Sequence, residues 1–131
     1  MRILIVEDDF SSRFLLQSFL APYGECYAAV NGREAVEAFR LAKASGAAFD
    51  LICMDIMMPE MDGQEALKQI RTLEESAGIP PGTGVKIIMV TAMPDMKVMA
   101  TSFQLGCDAY VRKPVDTGEL LRYLKSLSLV S

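Results

Sequence analysis

Leu51-Ile52-Cys53-Met54-Asp55 decides how this chain is read: four apolar residues in unbroken succession, closed by a carboxylate. A strand with one wet face alternates apolar and polar residues, whereas a strand covered on both faces needs no alternation. The same form appears at Ile3-Leu4-Ile5-Val6, closed by Glu7-Asp8-Asp9. Working outward, further strand candidates lie at 25–30, the weakest of the set, at 85–90 and at 109–111.

Segments with helical spacing separate these runs. The first carries Phe14, Leu15, Leu16, Phe19 and Leu20 and stops at Pro22-Tyr23-Gly24. The second opens on Asn31 and Glu34, a variant capping box, places Val36 and Phe39, and ends near Gly46. Leu67, Ile70 and Leu73 mark the third; Met96, Met99 and Phe103 mark the fourth, with Gly106 as its C-cap. Asp116 and Glu119 open the fifth, whose apolar face is Leu120, Leu121, Leu124 and Leu127. Strand–helix alternation through the whole chain predicts an α/β fold, a doubly wound parallel sheet of five strands with helices on both faces. No repeat or low-complexity tract interrupts it. Only the Pro/Gly stretch at 78–84 breaks the rhythm, so 1–131 is read as a single domain without a linker or second module.

Composition narrows the function. A chain of 131 residues has room for one domain with a real core. Its net charge of −4 leaves no electrostatic footprint for a phosphate backbone, which argues against direct nucleic-acid binding. The absence of His removes an imidazole base, a His nucleophile and the commonest zinc ligand. Cys26, Cys53 and Cys107 form no CxxC pair and read as small buried hydrophobes in a reducing cytoplasm. The N-terminus is no signal peptide, and no apolar run approaches the roughly 20 residues that cross a bilayer.

In open α/β sheets, function gathers beyond the carboxyl ends of the strands. There stand Glu7, Asp8 and Asp9 after the first strand, Asp55 after the third, Thr91-Ala92 after the fourth and Arg112-Lys113-Pro114 after the fifth. Each has an ordinary explanation alone: the acids as solvated loop or helix caps, Thr91 as a capping hydroxyl, Lys113 as a surface lysine. Together they form an oxyanion-binding set on one rim. Clustered carboxylates need a cation, and all-oxygen ligands favour a hard ion such as Mg²⁺ over zinc. A carboxylate beside such an ion can accept a phosphoryl group, with a lysine neutralising the transferring charge.

The quoted runs, with Asp55-Ile56-Met57-Met58-Pro59-Glu60-Met61-Asp62-Gly63, Val90-Thr91-Ala92 and Tyr110-Val111-Arg112-Lys113-Pro114, resemble the CheY-like receiver domains of response regulators over essentially the whole chain. The resemblance implies the strand order 2-1-3-4-5, which CheY itself exemplifies. It implies that Asp55 is the phosphoacceptor. Asp8, Asp55 and the backbone carbonyl of Met57 would ligate Mg²⁺ directly, with Glu7 acting through water. Thr91 and Tyr110 match the switch pair, and Lys113 the phosphate-contacting lysine ahead of a cis Lys113–Pro114 bond. Asp9 falls past the acidic pair as a loop acid or cap, while Asp62 and Gly63 shape the start of the third helix.

On this resemblance the chain is a phosphorylation switch of a two-component system rather than a turnover enzyme, catalysing only its own phosphorylation and dephosphorylation. A histidine kinase or phosphotransfer protein would supply the phosphoryl group. An effector protein would read the face made by the fourth helix, fifth strand and fifth helix. Two alternatives stand beside it: a receiver cut from a longer regulator with a DNA-binding or enzymatic output, and an aspartyl-phosphate phosphatase. The latter normally has an acid two places after its nucleophile, where this chain has Met57.

Two departures from the family pattern are expected to matter little to the chemistry. The stretch from Asp55 to Thr91 is several positions longer than the family pattern leads one to expect, with the surplus at 78–84, opposite the active rim. Ala109 replaces the acid that winged-helix regulators often carry before the switch aromatic, which argues against their dimer face. Of nine methionines, Met57, Met58, Met61, Met93, Met96 and Met99 fall near the rim or the fourth helix, as core filling or as an adaptable partner surface. Met57 and Met93 also occupy the positions where family members tune access of the attacking water.

Overall fold

The computed structural model describes residues 1–92 and 95–131. Five strands form one parallel sheet: β1 (Arg2–Val6), β2 (Glu25–Ala29), β3 (Leu51–Met54), β4 (Lys86–Thr91) and β5 (Ala109–Arg112), in the expected order β2-β1-β3-β4-β5. The helices are α1 (Phe10–Leu20), α2 (Gly32–Ala44), α3 (Gly63–Ser76), α4 (Met96–Gln104) and α5 (Thr117–Ser126).

The period-two geometry of a strand sorts its side chains onto two layers. Leu4, Val6, Ile52, Met54, Ile87 and Met89 pack under Ala35 and Phe39 of α2 and Ala66, Leu67 and Ile70 of α3. Ile3, Ile5, Leu51, Cys53, Ile88, Val90 and Val111 pack under Leu16 and Leu20 of α1 and Leu120 and Leu124 of α5. Each fully buried aliphatic side chain contributes about 1.5–3 kcal/mol of transfer free energy. The unbroken apolar runs follow from this two-sided burial. β2 was the faint one because it is an edge strand, with most of its residues exposed.

Element ends follow from local hydrogen bonding. Asp9, Asn31, Asp62, Asp95 and Asp116 each cap a helix, accepting backbone N–H groups of its first turn. At α2 the box is shifted: Asn31 accepts from Glu34 N–H, but Glu34 Oε1 accepts from Val30 N–H rather than from the cap residue. The α-helix ends at Leu20, and a 3₁₀ turn over Ala21–Tyr23 carries the chain to Gly24. Gly106, with φ +106°, follows the last turn of α4 and donates to Phe103 O.

The apolar residues that mark α1 are not all buried. Phe14 and Leu15 are 60% and 68% exposed; only Leu16 and Leu20 of that apolar group are buried. Cys53 and Cys107 are buried and Cys26 is half-buried, and all three thiols are free. Burial pushes the Cys53 and Cys107 thiols up to about 12. Among the described residues, no helix is long and apolar enough to cross a membrane.

Candidate functional site

The parallel ladder brings the chemistry-bearing residues together by continuing one residue beyond each strand. Val6 pairs with Ala29 on one side and Met54 on the other, and Met54 pairs with Met89. Past those pairs, Glu7 N–H donates to Ala29 O at 3.0 Å and Asp55 N–H to Val6 O at 2.9 Å. At the other edge Lys113 N–H donates to Thr91 O at 2.9 Å. Glu7, Asp55 and Lys113 are therefore held on one rim by backbone, before any side chain interacts.

Their side chains then converge. Carboxylate oxygens of Glu7, Asp8 and Asp55 lie within 4.8 Å of one another; Glu7 and Asp55 are buried and Asp8 is exposed. Asp55 Oδ1 accepts from the N–H groups of Ile56, at 2.6 Å, and Met57, at 3.3 Å. Asp55 Oδ2 accepts from Lys113 Nζ at 2.9 Å, and the same ammonium donates to Glu7 Oε1. The remaining Glu7 oxygen accepts from Asp9 N–H at 3.1 Å.

Two of the three clustered carboxylates thus bind one ammonium. Burial raises the Glu7 pKa, a shift that the hydrogen bond from Lys113 opposes and the charge of Asp55 reinforces. Burial alone would lower the Lys113 pKa, but its bonds to Glu7 and Asp55 outweigh that and raise it, so it stays charged at neutral pH. The surplus of negative charge and the all-oxygen donor set fit a hard divalent cation. The groove that opens beside Asp8 is lined by Met57, Met58, Pro59, Asp62, Gln64 and Val98 and holds about 490 Å³.

The other named residues surround this cluster. Thr91 ends β4 and is buried; Tyr110 in β5 is buried, and desolvation raises its phenol pKa. The Lys113–Pro114 bond is cis. Gly63 shows why no larger residue starts α3: a Cβ there would stand 2.0 Å from Asp55 O. Met57 is 64% exposed and Met96 76%, while Met58, Met61 and Met99 pack against the core; Met93 lies outside the described residues.

Sequence reasoning missed Arg13, whose Nη1 donates to Glu7 O at 2.8 Å. It sits on a helix rather than at a strand end, so only its place in the first turns of α1, beside the acidic loop, hinted at the contact. It also missed Gln64, which ties α3 to α4 through Val98 O and Ser102 Oγ.

The family model of the response regulator receiver domain matches residues 3–125. The chain belongs to that family. It is 32% identical to the chemotaxis protein CheY of Thermotoga maritima over 129 residues, covering 97% of each chain. It is 35% identical over 127 residues to a probable transcriptional regulator, ycf27, of Cyanophora paradoxa, covering 96% of this chain and 47% of that one. The chain spans about half the length of this regulator and of a second from Porphyra purpurea.

Among solved structures, a CheY-like receiver domain protein from Methanospirillum hungatei superposes with a TM-score of 0.77 at 33% identity, covering 98% and 92% of the two chains. The receiver domain of a histidine kinase from Arabidopsis thaliana, crystallised with Mg²⁺ and BeF₃⁻, gives 0.81 at 30% identity, covering 97% and 89%. Receiver domains are the phosphorylation-responsive switches of two-component signalling, and this chain is homologous to those of CheY and of histidine kinases.

Proposed function

We propose that Asp55 is the phosphoacceptor of this receiver domain, and that Lys113, Asp8, Glu7, Thr91 and Tyr110 serve its phosphorylation and readout. The observation that carries this reading is the Asp55 carboxylate itself: buried at the end of β3, oriented by two backbone N–H groups and bridged to Lys113. A carboxylate oxygen attacks the phosphorus of the donor. The new O–P bond forms as the bond to the leaving nitrogen or oxygen breaks, and the leaving group departs with that electron pair. The product is an aspartyl phosphate.

Each neighbour has a task in that step. Ile56 and Met57 N–H groups hold Oδ1 and so fix which way the carboxylate points. Lys113 follows the charge from Asp55 onto the phosphoryl oxygens and compensates it there. Asp8 and Asp55, with the backbone carbonyl of Met57 and with Glu7 through water, would hold Mg²⁺, which supplies charge neutralisation at the phosphoryl oxygens when bound. Thr91, at the end of the neighbouring strand, would donate its hydroxyl to a phosphoryl oxygen. Tyr110, two residues into β5, carries the change toward the face of α4, β5 and α5, where an effector protein would bind.

The donor would be a histidine kinase or a phosphotransfer protein, in the cytoplasm, where three free thiols persist. The chain acts on itself rather than turning over a substrate, and residues 1–131 form one receiver unit. The length of the ycf27 and ycf29 relatives favours a second reading, in which this unit is the input half of a longer regulator. The full open reading frame decides between the two.

Intact-mass spectrometry after incubation with acetyl phosphate, with and without Mg²⁺, tests the assignment. One Mg²⁺-dependent phosphoryl adduct is expected, absent from Asp55→Asn. An adduct that survives that substitution, or none in folded protein with Mg²⁺, would overturn it.

A further inference from the structure

Two polar ties from α3 hold α4 differently along its length. Gln64, Leu67, Arg71 and Glu74 recur at the three- and four-residue spacing of one helix face. Leu67 is core; the polar residues on either side of it reach past the sheet. Near the C-terminal end of α4, Arg71 Nε donates to Gly106 O at 3.0 Å, while its Nη atoms bind Glu74, Val85 O and Asp108. That tie is charged and has several partners.

Among the described residues, the tie of α3 to the body of α4 is one neutral amide. Gln64 Nε2 donates to Val98 O and to Ser102 Oγ, both at 3.1 Å, and the Ser102 hydroxyl donates in turn to Val98 O at 2.9 Å. Ser102 is the one buried residue of α4, so its hydroxyl needs these partners. Val98 and Met99 add only partly buried apolar contact.

Gln64 is also joined to the phosphoacceptor loop. Its neighbour Gly63 donates its N–H to Ile56 O at 2.8 Å and packs against Asp55 O too closely for a Cβ. Ile56 N–H in turn holds Asp55 Oδ1. A displacement of the 55–56 backbone therefore reaches the Gln64 amide through one peptide hydrogen bond and one residue.

We propose that Gln64 is a positioning residue, a latch that fixes the Val98–Ser102 side of α4 to the phosphoacceptor loop while Arg71 holds the Gly106 turn just beyond its far end. Releasing the latch frees the Val98–Ser102 side of α4 to pivot about its Arg71-bound end. This link runs along α3 and is separate from the route through Thr91 and Tyr110. Its regulatory meaning rests on the assignment of Asp55 above; the latch itself does not.

Amide hydrogen exchange read by mass spectrometry on the whole chain tests it, on parent, Gln64→Leu and Ser102→Ala proteins without any phosphoryl donor. Loss of a buried hydrogen bond predicts exchange about fivefold faster in peptides spanning 96–104, with those spanning α1 and α5 unchanged. A second arm adds Mg²⁺ and beryllofluoride. In the parent, α4 exchange then changes; in Gln64→Leu the change shrinks, because the latch is already open. Unchanged exchange at 96–104 in both variants overturns the proposal, and so does an equal rise over the whole molecule. Absence of a phosphoryl adduct in the parent would bring down the Asp55 assignment and leave the donor-free result standing.

Discussion

At the carboxyl end of the sheet Glu7 and Asp55 share the ammonium of Lys113, with the Asp8 carboxylate beside them; at the amino end Glu74 and Asp108 share the guanidinium of Arg71. The amino-end charges are tied on every side into the backbone. Glu74 Oε2 accepts from Val85 N–H at 2.7 Å, Asp108 Oδ2 from Ile87 N–H at 2.9 Å, and Arg71 donates to two carbonyls besides its two carboxylates. The carboxyl end keeps an excess of negative charge, one exposed carboxylate and an open groove. The choice of cation matches. A planar guanidinium fixes several partners at once, whereas an ammonium on a four-carbon stem can follow an oxygen that moves. Ion clusters of similar make-up thus form a clamp at one end and, on the function proposed above, a reactive site at the other.

The comparison breaks first, and by the largest amount, at Arg71. Arg71→Ala leaves the buried Glu74 without its cation and is expected to lower unfolding free energy by about 3 kcal/mol. Urea denaturation measures the loss, and the rate of adduct formation with acetyl phosphate is expected to stay within about twofold of the parent's, since Arg71 touches nothing at the reactive end. A stable Arg71→Ala protein that phosphorylates poorly would show that the two ends are not separate.

Lys113→Ala is the reverse case. Removing the one ammonium at Asp55 is expected to slow phosphorylation about 100-fold, comparable with loss of a single charge-stabilising donor elsewhere. Time-resolved intact mass at saturating Mg²⁺ reads this directly. A loss below about threefold would strip Lys113 of its assigned task.

Asp62→Ala sharpens the boundary between the two ends. It deletes the cap of α3, where Asp62 Oδ1 accepts from Glu65 N–H at 2.9 Å, and is expected to cost about 1 kcal/mol by thermal or urea melting.

The smallest expected effect is a null. Cys107 lies between Gly106 and Asp108, both held by Arg71, and its thiol pKa is raised to about 12 by burial. The thiolate is therefore scarce at pH 8, and native-state labelling of Cys107 and Cys53 is expected to be far slower than that of half-buried Cys26. It should rise with pH toward about 12 and stay unaltered by phosphorylation. Fast labelling of Cys107 on phosphorylation would mean that the amino-end clamp opens.

The two ends were not equally legible in the sequence. Glu7, Asp55 and Lys113 each stand directly after an apolar run, so the ladder that places them is the same pattern that reveals the strands. Arg71, Glu74 and Asp108 offered no such cue. Arg71 and Glu74 are three apart on α3 and read as an ordinary surface pair; Asp108 joins them only because two crossovers bring its loop alongside. Phe14 and Leu15 show the converse: apolar residues on an outward helix face carry no mark in the sequence that distinguishes them from core. Arg13 and Gln64 were invisible because each acts across the gap between elements.

The Pro/Gly segment at 78–84 is bound chiefly to its own neighbours: Thr83 donates to Pro80 O through both N–H and hydroxyl, and Lys86 Nζ donates to Gly82 O. It joins the far end of α3 to the start of β4, a full strand length from Asp55. Its length is accordingly cheap to vary, because lengthening a surface loop costs little entropy and disturbs no ladder. A fluorophore, an affinity peptide or a whole inserted domain spliced there would ride on the molecule without crowding the opposite rim, where the proposed donor would approach.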